Sequence, residues 1–420
     1  MKEPKIRFKG FTGEWEEKKI GTMTSVRGGY AFQSSLFQKS GIPVVRISNI
    51  LSNGNVGGDF AYYPRLDGDT NITIHEKDVV IAMSGATTGK IARVDVGDGI
   101  LYQNQRVGLF TKTGKVDYDF LYAVLNRPHF NELLNKLLTS SAQPNASSAD
   151  IESIEMGFPE DAEEQKALSN YILSLDSLIQ STTKKIESLK QVKAASLQSM
   201  FPQEGETTPR VRFKGFEGEW EETPFSETFD YLKNNSLSRA ELSDGGVVMN
   251  IHYGDVLIKY GECVDVGKEV KTFVKEEYIA KRLHQSCAII NGDIIFADAA
   301  EDNTVGKCSE IIANEDDAII SGLHTIPCRP MKQFATRYLG YYLNSNAYHN
   351  QLLPHIQGTK ISSISKKAIS QTHINSPLDI AEQRAIASYF TNLDRQITLQ
   401  TQRLEKLKLI KSACLDNMFV

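Results

Sequence analysis

No stretch of the 420 residues approaches the ~18 consecutive apolar side chains of a membrane-spanning helix. Met1 to Gly10 is charged and lacks the apolar core of an export signal, so no membrane association is expected. Cysteine is scarce: Cys263, Cys287, Cys308, Cys328 and Cys414 are odd in number, and none forms a Cys-x-x-Cys pair. They support neither a disulfide framework nor a zinc site and predict a reducing, cytoplasmic setting. An excess of positive charge is also missing, with 47 basic against 52 acidic residues and a net charge of −5. Binding nucleic acid by charge alone usually requires a strongly basic surface, so a solitary binder of that type is disfavoured.

Catalytic constellations are absent as well. The eight histidines (His75, His129, His252, His284, His324, His349, His355 and His373) include no His-Glu-x-x-His pair. There is no Gly-x-Ser-x-Gly elbow, and no Asn- or Asp-Pro-Pro-Tyr stretch of an amino-methyltransferase. Ser84-Gly85-Ala86-Thr87-Thr88-Gly89-Lys90 approaches a phosphate-binding loop. It has three residues between its glycines where four are needed, and Ile91 stands where a magnesium-binding hydroxyl belongs. Asn303-Thr304-Val305-Gly306-Lys307 keeps only Gly-Lys. A binding protein is expected rather than an enzyme, with no metal or cofactor held by this chain. A P-loop-like phosphotransferase is the enzymatic alternative.

What the chain does have is a duplication. Arg7-Phe8-Lys9-Gly10-Phe11-Thr12-Gly13-Glu14-Trp15-Glu16-Glu17 returns at Arg212–Glu222 with 10 of 11 residues identical. Residues Gln165–Phe201 return at Gln383–Phe419 with 15 of 37 identical and no gap. The offsets, 205 and 218, place about thirteen extra residues inside the second copy. So long a period excludes a solenoid and implies a paired domain.

The second repeat is helical. Leu168, Ile172, Leu175, Ile179, Thr182, Ile186 and Leu189 define a heptad seam, repeated by Ile386, Phe390, Leu393, Ile397, Gln400, Leu404 and Leu407. Lys193 and Lys411 interrupt the two seams, and Val192 and Ile410 are expected to substitute beside them. Each helix opens as Pro, then Asp-x-x-Glu (Asp161 to Glu164, Asp379 to Glu382), which predicts a capping box. The least costly burial of two matched stripes is against each other.

The expected fold class is α/β: two mixed α/β domains, 1–160 and 203–378, separated by helices 161–202 and 379–420 that pair as an antiparallel coiled coil. Strands are predicted at 42–50, 78–83, 90–94, 106–110, 247–251, 288–297 and 323–328. Helices are predicted at 118–126, 129–138, 336–344 and 347–353. The Phe-Lys-Gly-Phe-x-Gly-Glu-Trp segments read as packing elements laid on a core.

Polar loop residues suited to base edges and phosphates recur in both units. In the first they are Arg27, Tyr30, Arg46, Asn49, Ser84, Thr87, Thr88, Lys90, Gln103, Asn104, Gln105, Arg106, Gln143 and Asn145. In the second they are Asn250, His252, Tyr253, Lys259, Lys307, Gln357, Thr359 and Lys360. Asn and Gln match adenine, Arg and Lys match guanine, and the same residue types also build turns.

In this order across a duplicated chain, the motifs resemble the DNA-specificity subunit of type I restriction–modification systems. The residues that carry the likeness are Arg7-Phe8-x-Gly10-Phe11-x-Gly13-x-Trp15 and its copy, Ser84 to Lys90, Arg46-Ile47-Ser48-Asn49-Ile50, Ile251-His252-Tyr253-Gly254-Asp255, and Glu164-Gln165-Lys166 with Glu382-Gln383-Arg384. The resemblance implies a non-catalytic subunit whose two target-recognition domains each read half of a split, asymmetric site on double-stranded DNA. It implies two methyltransferase subunits and restriction subunits as partners, with S-adenosylmethionine, ATP and Mg²⁺ held by those partners. Unit two departs from the pattern by lacking Ser-Gly-Ala-Thr before Gly306-Lys307. A coiled-coil adaptor without DNA readout is the remaining alternative.

Overall fold

The computed structural model describes residues 3–95, 97, 99–138, 145–358 and 360–420. The chain condenses into two compact units, Met1–Thr183 with Gln402–Val420, and Lys184–Thr401. Two 38-residue helices, Ala162–Ser199 and Ile380–Asn417, each contribute one part to either unit. At 1.5 Å rise per residue each is about 57 Å long.

In the first unit, Val26–Gly28, Val107–Phe110, Val79–Ala82 and Ile91–Arg93 form an antiparallel sheet in that order. Val79–Ala82 lacks polar alternation because both its faces are covered. Val79 and Ile81 meet Phe120, Leu121, Val124, Phe130 and Leu134 on one side. Val80 and Ala82 meet Val45, Ile74, Leu101 and Val107 on the other. The second sheet runs Ala61–Tyr63, Ile42–Val45, Leu101–Gln103, Thr73–Ile74, and its central pair is parallel. Helices Tyr118–Leu125 and Pro128–Leu138 complete the outer layer.

The second unit repeats this plan. Phe229–Tyr231, Thr325–Pro330, Ile294–Ala297 and Cys308–Ile312 form the first sheet, with Cys263–Asp265 added at its edge. The second sheet runs Leu242–Ser243, Phe273–Val274, Met249–Ile251, Ile319–Ser321, Ala288–Ile289, again with a parallel pair, Met249–Ile251 beside Ile319–Ser321. The strand expected over 288–297 is two strands. Gly292, at φ 86°, turns the chain so that Ala288–Ile289 and Ile294–Ala297 belong to different sheets. The strand expected over 42–50 ends at Val45, where Ile47–Asn49 coils into a 3₁₀ turn. Most of the insertion lies between Ile251 and Ile294 and includes an unexpected helix, Glu277–Cys287. Its stripe of Ile279, Ala280, Leu283 and Cys287 covers Val248 and Ile320 on the sheet's outer face.

The repeated Arg-Phe-Lys-Gly-Phe segment is tied to the start of a long helix in the same way in both units. Arg7 grips Glu164 through two hydrogen bonds of 2.7 Å and donates to the carbonyls of Thr12 and Gly13. Arg212 does the same with Glu382, at 2.7 and 2.8 Å, and with Glu217 and Gly218. The expected capping box is therefore only half formed. Asp161 and Asp379 accept from the amides of Glu163 and Ala381, but the box glutamates are spent on the arginines. Gln165 and Gln383 complete the joint, each accepting from a backbone amide, Asp117 or Ala335, and donating to a proline carbonyl, Pro159 or Pro377. Trp15 and Trp220 are buried, against Phe419 and Phe201 respectively.

Within each unit the two long helices run antiparallel. In the first, Tyr171 lies beside Cys414, and Asp176 pairs with Lys411 at 2.5 Å. In the second, Lys193 meets Asp394 at 2.7 Å and Ser196 meets Tyr389 at 2.9 Å, while Phe201 stacks on Phe390. The seam interruptions are filled by the lysines themselves. Lys193 bridges Asp394 and Glu262, whereas Val192 and Ile410, expected to substitute, are 43% and 45% exposed. An ammonium on a four-carbon stem can lie along the apolar seam and end on a carboxylate.

One position is charge-reversed between the copies. Arg93 pairs with Asp119 in the first unit, while the corresponding Glu310 in the second is buried and accepts from the amides of Arg337 and Gly340. Burial pushes the Glu310 carboxyl up to about 7. A folded-state value raised above the usual 4.5 means that this group's stabilisation is complete below that pH and is lost as pH rises through about 7. Glu310→Gln is expected to flatten the decline in melting temperature between pH 5 and 8, measured by thermal denaturation across that range.

Candidate nucleic-acid interface

In the first unit the two parallel strands end side by side. Ile42–Val45 leads into Arg46–Asn49 and Leu101–Gln103 into Asn104–Arg106, which collects polar side chains at one edge. Tyr30 joins them, donating its amide to the Gln103 carbonyl while its own carbonyl accepts from Gln105. The hairpin after Val79–Ala82 reaches the same edge. Met83 donates to the Arg106 carbonyl, Ser84 bridges Asn145, and the Thr87 hydroxyl is 3.5 Å from the Ile47 carbonyl. Lys90 reaches the Ser52 hydroxyl at 3.0 Å, and Thr88 closes the turn on Gly85.

The structure sorts the expected contact residues. Tyr30, Gln105, Arg106 and Asn145 are exposed, and Arg46, Thr87, Thr88, Lys90 and Asn104 are half-buried. Gln103, expected at a base edge, is 0% exposed and donates to the carbonyls of Arg27 and Val107. Arg27 is turned inward too, donating to Gln103 and Thr73, and burial lowers its basicity. Asn49 is buried with its amide on the carbonyls of Gly57 and Asp59. These three shape the edge and do not face outward from it. Gln143 lies outside the described residues.

The second unit presents a different edge at the same place. Asn250 is 0% exposed and accepts from Asn235 at 2.8 Å. His252 caps helix Tyr253–Ile258 by accepting from the Gly254 amide, and burial together with Arg239 holds its pKa below the usual imidazole value. Asp255 gathers Arg239 and Lys259. Its carboxyl is raised by burial but held below its ordinary value by those two cations. Lys307 is folded inward onto the carbonyls of Leu257 and Tyr260. Lys307, expected at DNA, thus has its ammonium engaged within the unit, whereas Lys259 pairs with Asp255 at 3.0 Å while its side chain stays 62% exposed. Tyr253 is half-exposed; Gln357, which bridges Ser363, and Lys360 are exposed. Thr359 lies outside the described residues.

The two Gly-Lys motifs are one structure. Gly89 and Gly306, both at φ 85°, close matching hairpins, and a Cβ there would stand 2.6 Å from Asn131 or 2.7 Å from Leu352. Lys90 and Lys307 enter the strands Ile91–Arg93 and Cys308–Ile312, not the helix that a phosphate-cradling loop requires.

Several buried polar atoms at these edges lack partners: Arg46 Nε and Ser84 Oγ in the first unit, and Asn250 Nδ2 in the second. Unsatisfied buried groups are costly and tend to persist where a ligand or function compensates. Among the described residues no cluster of metal-binding side chains occurs, and no helix is long and apolar enough to cross a membrane.

Residues 12–191 and again 217–409 match the family described as type I restriction modification DNA specificity domain. The specificity subunit of type I restriction enzyme MjaVIII, from Methanocaldococcus jannaschii, is 28% identical over 188 residues, 43% of this chain and 44% of that subunit. The alignment thus spans less than half the length of that relative. Among solved structures, the type I restriction-modification S subunit of M. genitalium superposes with a TM-score of 0.59 at 14% identity, covering 100% of this chain and 99% of that one. A chain from a structure addressing complex assembly and conformational transition of the type I R-M system gives 0.52 at 16% identity, covering 96% and 97%. At these identities the likeness is one of fold.

Proposed function

Because the chain belongs to the type I restriction modification DNA specificity domain family, with two copies of the domain, we propose that it reads a bipartite, asymmetric site on double-stranded DNA. Each unit reads one half-site, and the paired long helices act as the spacer. Two methyltransferase subunits dock on the chain and restriction subunits join them. S-adenosylmethionine belongs to the former, ATP and Mg²⁺ to the latter. The observation that carries this reading is the placement of two unlike polar edges at corresponding strand ends of two like folds: Arg46, Asn104–Arg106 and Asn145 in one, Tyr253 and Gln357 in the other, with Ser84 and His252 buried behind them. Like scaffolds with unlike edges suit two different half-sequences. A near-neutral chain also suits a reader whose partners supply part of the phosphate grip.

The test is genome-wide methylation mapping with and without this chain; persistence of the same bipartite motif after deletion would refute the proposal. Arg106→Ala is expected to reduce discrimination at one position of a single half-site by about 1–3 kcal/mol, roughly fivefold to 150-fold, and to leave the other half unchanged. Competitive binding to single-base variants of the site measures it.

A further inference from the structure

We propose that His324 is a base-reading residue of the second half-site, held in its reading pose by Asp298 and Tyr253; this rests on the DNA-reading function above. His324 occupies the place that Arg106 holds in the first unit. The amide of Asp298 donates to the His324 carbonyl at 3.1 Å, as that of Met83 donates to the Arg106 carbonyl at 2.9 Å. Each residue immediately precedes the equivalent strand, Thr325–Pro330 or Val107–Phe110.

Three features distinguish His324 from an ordinary turn residue. Its backbone sits at φ 54°, a region that non-glycine residues seldom adopt and that clusters at functional sites. Its Nδ1 lies 3.2 Å from Asp298 Oδ1. A carboxylate only accepts, so Nδ1 carries the hydrogen and Nε2, on the far side of the ring, is the free recognition atom. The Tyr253 ring stands edge-on at 5.3 Å and itself packs on His252 at 4.6 Å, which limits rotation of the imidazole. Even so, the side chain is 52% exposed. An outward nitrogen on an oriented, half-exposed ring can address the amino or carbonyl groups that line a DNA groove.

The experiment maps methylation directed by the full complex carrying His324→Asn, His324→Arg or Asp298→Ala. Asparagine tolerates the positive φ, so His324→Asn keeps the fold. It is expected to relax one position of the second half-site by tenfold or more while the first half-site stays intact. His324→Arg is expected to shift that position towards guanine. Asp298→Ala is expected to weaken discrimination at the same position and no other. If the wild-type chain directs bipartite methylation and His324→Asn alters neither half-site, or alters both equally, this inference is overturned while the function stands. If the wild-type chain directs no such methylation, the function itself fails.

Discussion

Arg212→Ala is expected to cost the second unit about 3 kcal/mol, the lower end of the range for breaking a buried ion pair. Glu382 is 2% exposed and already committed to that one guanidinium, so truncation strands a desolvated carboxylate at the start of a helix. Hydrogen bonds to Glu217 and Gly218 are lost as well, releasing the turn that precedes Trp220. At about 2–4 °C per kcal/mol for a unit of this size, the melting temperature should fall by about 6–12 °C. The paired change Arg212→Met with Glu382→Met should recover most of the loss, because no lone charge remains buried. Urea midpoints of the wild type and the two variants decide it; a loss below about 1 kcal/mol for Arg212→Ala would show that water already solvates the glutamate.

Inserting seven residues into both long helices, after Thr183 and after Thr401, should change which DNA is modified without touching either recognition surface. These insertion points fall at the boundaries between the compact units, so Asp176–Lys411 and Lys193–Asp394 both keep their registers. Seven helical residues add about 10.5 Å, or about three base pairs at 3.4 Å each. A complex that engages only one half-site forfeits several kcal/mol, so methylation at the native spacing should fall a hundredfold or more. Recovered activity is expected only on sites with a spacer about three base pairs longer. Undiminished methylation at the native spacing would show that the helices do not set the distance.

The legible parts of this structure are those written locally. Proline-led Asp-x-x-Glu starts and heptad spacing place the long helices to within a few residues, Ala162–Ser199 and Ile380–Asn417 against 161–202 and 379–420. Apolar runs such as Val79–Ala82 read as strands because burial on both faces excludes polar alternation. What stayed hidden depends on distant partners. Glu164 looks like a capping residue until Arg7, 157 positions away, claims it. Gln103 and Asn250 look like loop chemistry until pairing places them at the buried ends of parallel strands. The helix Glu277–Cys287 carried its signal in Ile279, Leu283 and Cys287, spaced by four, and was legible in principle. The repeat offset of 218 already sets His324 opposite Arg106, but its left-handed backbone is not written in the residues around it.

The two lysine–aspartate contacts of the long helices have a consequence for how such a chain can change. Asp176 and Asp394 stand one repeat apart, as do Lys193 and Lys411. Each helix therefore carries one acid and one base, and each contact joins the acid of one copy to the base of the other. Because each copy holds both, two separate single-copy chains lying antiparallel would form the same pair of contacts. Joining two such copies in one chain leaves those contacts as they are. That neutrality frees the two globules to diverge, or to be exchanged for others, without the fastening having to be reinvented each time.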